Sequence, residues 1–259
     1  MAETIRMAVT VKAYPVLSTK YQEAVCVAGV RSDTLFQARW VRLFPVQFRD
    51  LPRDKQFEKW DEIEVEATPH SGDKRPESYR PNIETIKVVG KLSTKRNWKA
   101  RRAVVDLLGV STMCAVTQRQ KEDGTSLAVI RPRKPVSLKI QRMRDAEVVR
   151  RRATIAGQGS LFAQERKPLE IPPYTFSYAY KCEEQGCRGH EQQIADWEVG
   201  QAYRKWRRSY PTQEELEAKL RQKWVDELCA ADRDARFFVG NVHQHPQSFL
   251  VLGVFWPRL

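Results

Sequence analysis

The sequence predicts an α+β protein: a small N-terminal β-barrel-like or curled-sheet domain, then a C-terminal α+β domain with a metal loop and a terminal β-hairpin. Three observations predict it. Short apolar segments alternate with turn residues through the first third of the chain, with few helical repeats between them. The last third joins an aromatic strand pattern to two helical stripes and two closing apolar runs. A hydrophobic content of 41%, with seven Trp, eight Tyr and ten Phe in 259 residues, supplies cores for one large or two modest domains.

In the first third, Met7, Val9 and Val11 alternate with other residues, 24–30 is a short apolar run, and Trp40 to Phe44 follows. Ile63 and Val65, then Ile83, Ile86 and Val88, mark the next strands. Turn chemistry at Tyr14-Pro15, Ser32-Asp33, Pro45, Leu51-Pro52-Arg53-Asp54 and Ser71-Gly72-Asp73 separates them. Small barrels of this size include OB-type and PUA-type modules that bind nucleic acid, an analogy of architecture that leaves function open. A helix is expected over 97–108, with Trp98, Ala103, Val104, Leu107 and Leu108 on its apolar side and Lys99, Arg101 and Arg102 opposite.

Residues 127–143 read as two strands, Leu127 to Ile130 and Val136 to Ile140, joined by the stiff basic connection Arg131-Pro132-Arg133-Lys134-Pro135. A helix over 147–154 carries Arg150, Arg151 and Arg152, which point around it rather than onto one surface. Residues 156–173 interrupt all periodicity with Gly157, Gly159, Pro168, Pro172 and Pro173, which divides the chain into 1–155, a linker at 156–173, and 174–259.

The linker contains Gln158-Gly159-Ser160-Leu161-Phe162. This resembles the short Q-x-x-L-F peptide by which many bacterial DNA-processing proteins dock on the replicative sliding clamp. The resemblance covers five residues, and Gly159 stands where that peptide commonly has Leu. It implies that Gln158 would bond at the pocket rim while Leu161 and Phe162 fill an apolar cleft. The alternative is that Leu161 and Phe162 anchor the linker to a domain surface.

The richest stretch follows. Tyr174, Phe176, Tyr178 and Tyr180 alternate into Cys182, and Cys187 and His190 complete a C-x4-C-x2-H pattern. Zn2+ takes Cys and His ligands at such short separations. Five cysteines, odd in number and mostly isolated, favour a metal site over a disulfide framework. His243 or His245, in the loop of the closing hairpin, is the expected fourth ligand. The competing reading is two plain thiols beside a helix start. A His190/Glu191 acid–base pair acting on zinc-bound water is a further option. Val199, Ala202, Tyr203 and Trp206 then form a core stripe on the next helix. Thr212 and Glu215 form a capping box that opens another, whose stripe is Leu216, Leu220, Trp224 and Leu228. Arg236 to Val239 and Ser248 to Trp256 make the hairpin.

A net charge of +13 is the footprint of a polyanion partner. The expected nucleic-acid contacts are Lys95, Arg96, Arg101, Arg102, Arg131, Arg133, Lys134, Arg150, Arg151, Arg152, Arg204, Arg207 and Arg208, which would hold phosphates without reading sequence. Trp40, Trp98 and Trp206 have the chemistry to stack on unpaired bases, but core packing accounts for each equally. No phosphate-binding Gly-rich loop, dinucleotide fingerprint, nucleophile elbow or kinase signature is present. No secretory leader or long apolar run is evident, so the expected location is cytoplasmic.

Three functions follow. The first is a nucleic-acid-binding protein with a structural zinc, working in a DNA- or RNA-processing assembly with other subunits. The second is a metal-dependent nuclease, in which Asp73 and Glu77, with Glu66, converge to hold Mg2+ and position a water. Its counter-reading is a loop whose acids pair with Arg75 and Arg80. The third is a protein-interaction adaptor whose charge is incidental.

Overall fold

In a computed structural model, residues 1–14, 16–18, 22–32, 39–156 and 171–259 are described. The chain is α+β, as its patterning predicts. The first half supplies β1 (Glu3–Lys12), β2 (Val16–Ser18), β3 (Gln22–Arg31), β4 (Trp40–Val46), β5 (Asp61–Pro69), β6 (Ser78–Pro81) and β7 (Lys87–Lys91), then α1 (Lys95–Asp106). Strands β1, β3, β4, β6 and β5 pair in that order, and β5 returns to β1, which closes a five-stranded barrel. Its pairings are antiparallel except β4 with β6.

Strand alternation sorts the side chains of this barrel. Ile5, Met7, Val9, Val25, Val27, Val41, Leu43, Ile63, Val65 and Ala67 fill its interior. The interleaved Glu62 and Glu64 turn outward and meet Arg6, while Glu66 is exposed. A register shift between Val9 and Val11 re-aims β1, so that Val11 joins a different core outside the barrel. Residues 83–85, expected as strand, form a single 3-10 turn instead, capped by the Asn82 side chain, and the strand begins at Lys87.

The second half contains α2 (Met113–Asp123), β8 (Leu127–Ile130), β9 (Arg133–Arg142), α3 (Asp145–Ala156), β10 (Tyr174–Lys181), β11 (His190–Gln193), α4 (Trp197–Trp206), α5 (Gln213–Arg221), β12 (Arg236–Val242) and β13 (His245–Phe255). Two three-stranded sheets form, β11-β10-β9 and β13-β12-β8. Strands on either side of residues 157–170 therefore pair with one another. Met113, Leu138, Tyr178, Tyr203, Leu220 and Phe237 share one core, so residues from about 113 onward build a core with the C-terminal half that is separate from the barrel interior.

The helical stripes explain this packing. Val199 and Tyr203 are buried, with Ala202 and Trp206 against the same core. Thr212 and Glu215 make the expected reciprocal capping box. Leu216, Leu220, Trp224 and Leu228 are all buried. Residues spaced by four drift around an α-helix, and here the helix widens into a π turn over Gln222–Glu227, which keeps the stripe facing inward. The α1 stripe differs from expectation. Trp98, Val105 and Leu108 face the core while Ala103 and Leu107 are exposed; Arg96 to Trp98 have positive φ, and Leu107 lies past the last helical residue, Asp106.

A third core lies between the halves. Val11, Ala28 and Trp60 from the barrel meet Leu127, Val129, Phe238, Leu252 and Phe255 of the β13-β12-β8 sheet, with Trp40 edge-on to Phe238. Trp40, Trp98 and Trp206 are all packing residues. Buried polar contacts fix the relative position of the halves. Lys59 Nζ lies 2.7 Å from both Asp196 carboxylate oxygens. Burial works against the Lys59 charge, but Asp196 and Glu198 outweigh it and raise its pKa. Arg42, 4% exposed, donates to Ser126 Oγ at 2.8 Å. Lys12 lies 3.3 Å above the Phe48 ring, and burial lowers its amine to about 8. No described helix is long and apolar enough to cross a membrane.

Removing one partner of a buried pair strands the other charge, at a cost of about 3–5 kcal/mol. Asp196→Ala is expected to lower unfolding free energy by that amount in chemical denaturation. A loss below about 1 kcal/mol would show that Lys59 finds water or another partner.

Candidate metal centre and basic surface

The aromatic alternation of β10 ends at Cys182, and the chain turns back into β11 with Tyr180 opposite His190. Gly186 and Gly189 have φ of +79° and +102°, the left-handed region that glycine adopts without strain, which lets so short a loop bring Cys187 and His190 back beside Cys182. A fourth side chain comes from elsewhere. Cys114 sits in the first turn of α2, after Thr112, whose hydroxyl accepts from the Ala115 N–H as the helix cap. The same Thr112 hydroxyl donates to Glu184 at 3.0 Å and ties the helix start to the loop.

Four ligand atoms converge. Cys114 Sγ is 3.5 Å from His190 Nε2 and 3.5 Å from Cys182 Sγ, and Cys187 Sγ is 3.3 Å from His190 Nε2. All four ligand atoms lie within 4.8 Å of one another, so the group could hold a metal ion. Tetrahedral Zn–S and Zn–N bonds place neighbouring ligand atoms roughly 3.5–3.8 Å apart, close to these separations.

The acid–base chemistry of the cluster matches a cation at its centre. Burial raises the Cys114 thiol to about 12, and the neighbouring Cys182 and Cys187 sulfurs push the same way. For Cys187 burial also opposes ionisation, but backbone N–H groups of Cys182 and Gly189 outweigh it and lower its pKa. Burial lowers His190, which keeps its imidazole neutral and able to coordinate. A thiolate at Cys114 is therefore disfavoured until a positive charge compensates it.

The expected fourth ligand is corrected. His243 occupies the tip of the closing hairpin with its Nδ1 3.3 Å from Asp73, and His245 is exposed. Cys114 takes the position instead, 68 residues before Cys182. Nothing in linear spacing marks it; its one signal is a cysteine just inside a Thr-capped helix. His190 is a ligand candidate rather than half of an acid–base pair. Glu191, the next residue on β11, points to the other face and pairs with Lys139.

The acidic cluster is also resolved. Asp73 is bonded by Arg75 through Nε at 2.8 Å and Nη2 at 2.6 Å, and Arg75 also donates to the Asn241 carbonyl. Burial opposes ionisation of Asp73, but the Arg75 guanidinium outweighs it and holds the carboxyl well below the usual range. Glu77 accepts from Arg42 at 3.3 Å and from the Ser126 hydroxyl. Glu66 is exposed on β5. Among the described residues, the Cys114, Cys182, Cys187 and His190 set is the one group of three or more such side chains placed to take an ion. Asp73 and Glu77 join the barrel to the second half; they do not form a Mg2+ site.

The cations divide as well. Arg102 and Arg131 reach Asp234 at 3.2 and 2.9 Å. Arg101 lies between the Trp60 and Trp98 rings, Lys134 donates to the carbonyls of Ala230, Ala231 and Arg233, and Arg151 pairs with Glu147. Arg150 and Arg207 are also partnered. These seven serve the fold. Lys95, Arg96, Arg133, Arg204 and Arg208 make no ion pair among the described residues. The Arg152 side chain, and Gln158, Leu161 and Phe162 of the clamp-like peptide, lie outside the described residues.

Comparison with known families divides the chain near the same place as its cores do. Residues 109–259, more than half of the chain, match the family described as Domain of unknown function (DUF8757). The chain belongs to the DUF8757 family. Residues 3–107, the barrel with β7 and α1, match a second, Domain of unknown function (DUF8758). All four clustered ligands, Cys114 included, fall in the DUF8757 part. No curated protein matches the chain.

Two outcomes test the centre. Cys114→Ser is expected to weaken metal retention by more than about 100-fold, beyond the effect of losing an outer partner, and to lower Tm. Metal content by elemental analysis equal to wild type would remove Cys114 from the site. Acid should release the metal. The folded-state pKa of His190 lies below its unfolded value of about 6.5, so below that pH the unfolded chain takes up the proton first and stability falls. Tm and metal content are therefore expected to fall together as the pH drops below about 6.5. A flat profile below that pH would sink the assignment of His190.

Proposed function

We propose that this protein binds nucleic acid through the phosphate backbone and that Zn2+, held by Cys114, Cys182, Cys187 and His190, orders its DUF8757 half. Three thiols and an imidazole are soft and borderline donors that suit zinc better than Mg2+ or Ca2+. Four protein ligands fill a tetrahedral shell and leave no position for an activated water, which favours a structural ion.

The observation that carries the nucleic-acid reading is where the charge goes. The chain has a net +13, and its buried acids are neutralised by buried or half-buried cations inside the fold. Among the described residues, Lys95, Arg96, Arg133, Lys205 and Arg208 make no ion pair and are exposed. A cationic exterior with no internal acid to answer it suits a polyanion. The nuclease alternative needs carboxylates free to take an ion, and Asp73 and Glu77 are committed to Arg75 and Arg42.

The test is a gel-shift series with labelled single- and double-stranded DNA and RNA, with and without Mg2+, scored for shift and for cleavage. For about four phosphate contacts, affinity is expected to fall roughly 50- to 150-fold between 50 and 200 mM salt, with no cutting. Absence of any shift at 50 mM salt overturns the reading; Mg2+-dependent cutting replaces it with an enzyme.

A further inference from the structure

In OB-type barrels, oligonucleotides lie across the second and third barrel strands and the loops joining the first to the second and the fourth to the fifth. Here β3 and β4 are the second and third barrel strands, and their outer face is covered. Ala28 and Trp40 pack on the β13-β12-β8 sheet, and Arg42 is buried against Ser126. The loop from β5 to β6, which contains Asp73, Arg75 and Glu77, is held to Asn241 and Ser126. Much of the surface such a barrel offers to a strand is thus spent on joining the two halves.

An unspent basic surface lies beside the metal cluster. A groove of about 600 Å³ runs between the ends of β9 and β10 and the Cys loop. Its lining carries five exposed cations, Arg133, Lys134, Lys139, Lys181 and Arg188, of which Lys134 is bonded to backbone carbonyls. Arg133, Lys181 and Arg188 make no ion pair among the described residues. The one acid on the wall, Glu191, is answered by Lys139. Pro135, Ala179 and Gly189 also line it and add neither charge nor bulk. His190, a metal-ligand candidate, also lines the groove.

Position along the chain links this groove to the metal. Lys181 immediately precedes Cys182, and Arg188 lies between Cys187 and His190. An ion that fixes those three ligands fixes the backbone that carries two of the five cations. We infer that this groove is the phosphate-binding site for a nucleic-acid strand, and that metal occupancy of the Cys loop sets its affinity. The inference rests on the nucleic-acid reading above and adds where the strand lies and what orders its site.

The experiment is fluorescence anisotropy of the full chain with a labelled single-stranded oligonucleotide, titrated at several salt concentrations. Wild type is compared with Lys181→Gln/Arg188→Gln and with Lys87→Gln/Lys121→Gln, two exposed lysines outside the groove. The groove variant is expected to lose at least about tenfold in affinity and to lower the salt slope by roughly 1.4 for the two lost contacts. The control variant should show neither change. Equal loss in both variants, or none in the groove variant while wild type binds, overturns the groove and leaves nucleic-acid binding standing. No binding by wild type removes both. Inorganic phosphate and AMP serve as competitors. Displacement only above about 1 mM supports a strand, and displacement by AMP at the affinity of the oligonucleotide overturns it in favour of a small ligand. Cys187→Ser, checked for retained secondary structure by circular dichroism, should match the groove variant; wild-type affinity in that protein overturns the metal dependence.

Discussion

A barrel with Val11, Ala28 and Trp40 on its outside cannot stand alone in water without exposing a continuous apolar patch. The fold answers this by laying the β13-β12-β8 sheet over that face. The apolar contact is non-directional and would tolerate sliding, so the buried polar contacts determine the fit. Lys59 must meet Asp196, Arg42 must meet Ser126 and Glu77, and Arg75 must meet Asn241. A displacement of a few ångströms would leave several buried charges unanswered at once. The site, the charge distribution and the groove all inherit their geometry from this alignment.

The metal cluster applies the same logic locally. β10 and β11 can form a hairpin unaided, but a three-ligand loop alone would leave the coordination shell incomplete. Cys114 brings a fourth ligand atom from α2, so an ion held there would tie a helix, a strand end and a hairpin loop together. Thr112 supports that tie from both sides, capping α2 and bonding Glu184 of the loop. Burial and the neighbouring sulfurs disfavour a thiolate at Cys114, and a cation at the centre would offset that.

The cationic residues show why charge runs mislead when read as runs. Arg131 and Lys134 belong to one dense basic stretch with Arg133, yet Arg131 answers Asp234 and Lys134 answers carbonyls at the end of the α5 extension. Only Arg133 of the three faces outward unpaired. Lys139, Lys181 and Arg188, which share the groove with it, are separated in sequence and form no run at all. Pairing of β9 with β10 sets Lys181 opposite Arg133, and the turn from β10 into β11 brings Arg188 to the same place.

The sequence by itself determined whatever depends on neighbours within one element. Alternation placed the barrel strands, because side chains on a strand change face at every residue. The Thr212–Glu215 pair placed a helix start, because its bonds span three residues. C-x4-C-x2-H marked three members of the metal cluster, because a loop can close on an ion locally. Tertiary structure alone decided the rest. Cys114 is 68 residues from its nearest partner in the cluster; of the two ligands expected in its place, His243 is taken by Asp73 across the inter-half boundary and His245 is exposed. Asp73 and Glu77 have the composition of a metal site, but ion pairing is settled by which cation the folded chain delivers to each carboxylate. No spacing in the sequence encodes that, because the partners come from strands whose neighbours are chosen by the packing of whole sheets.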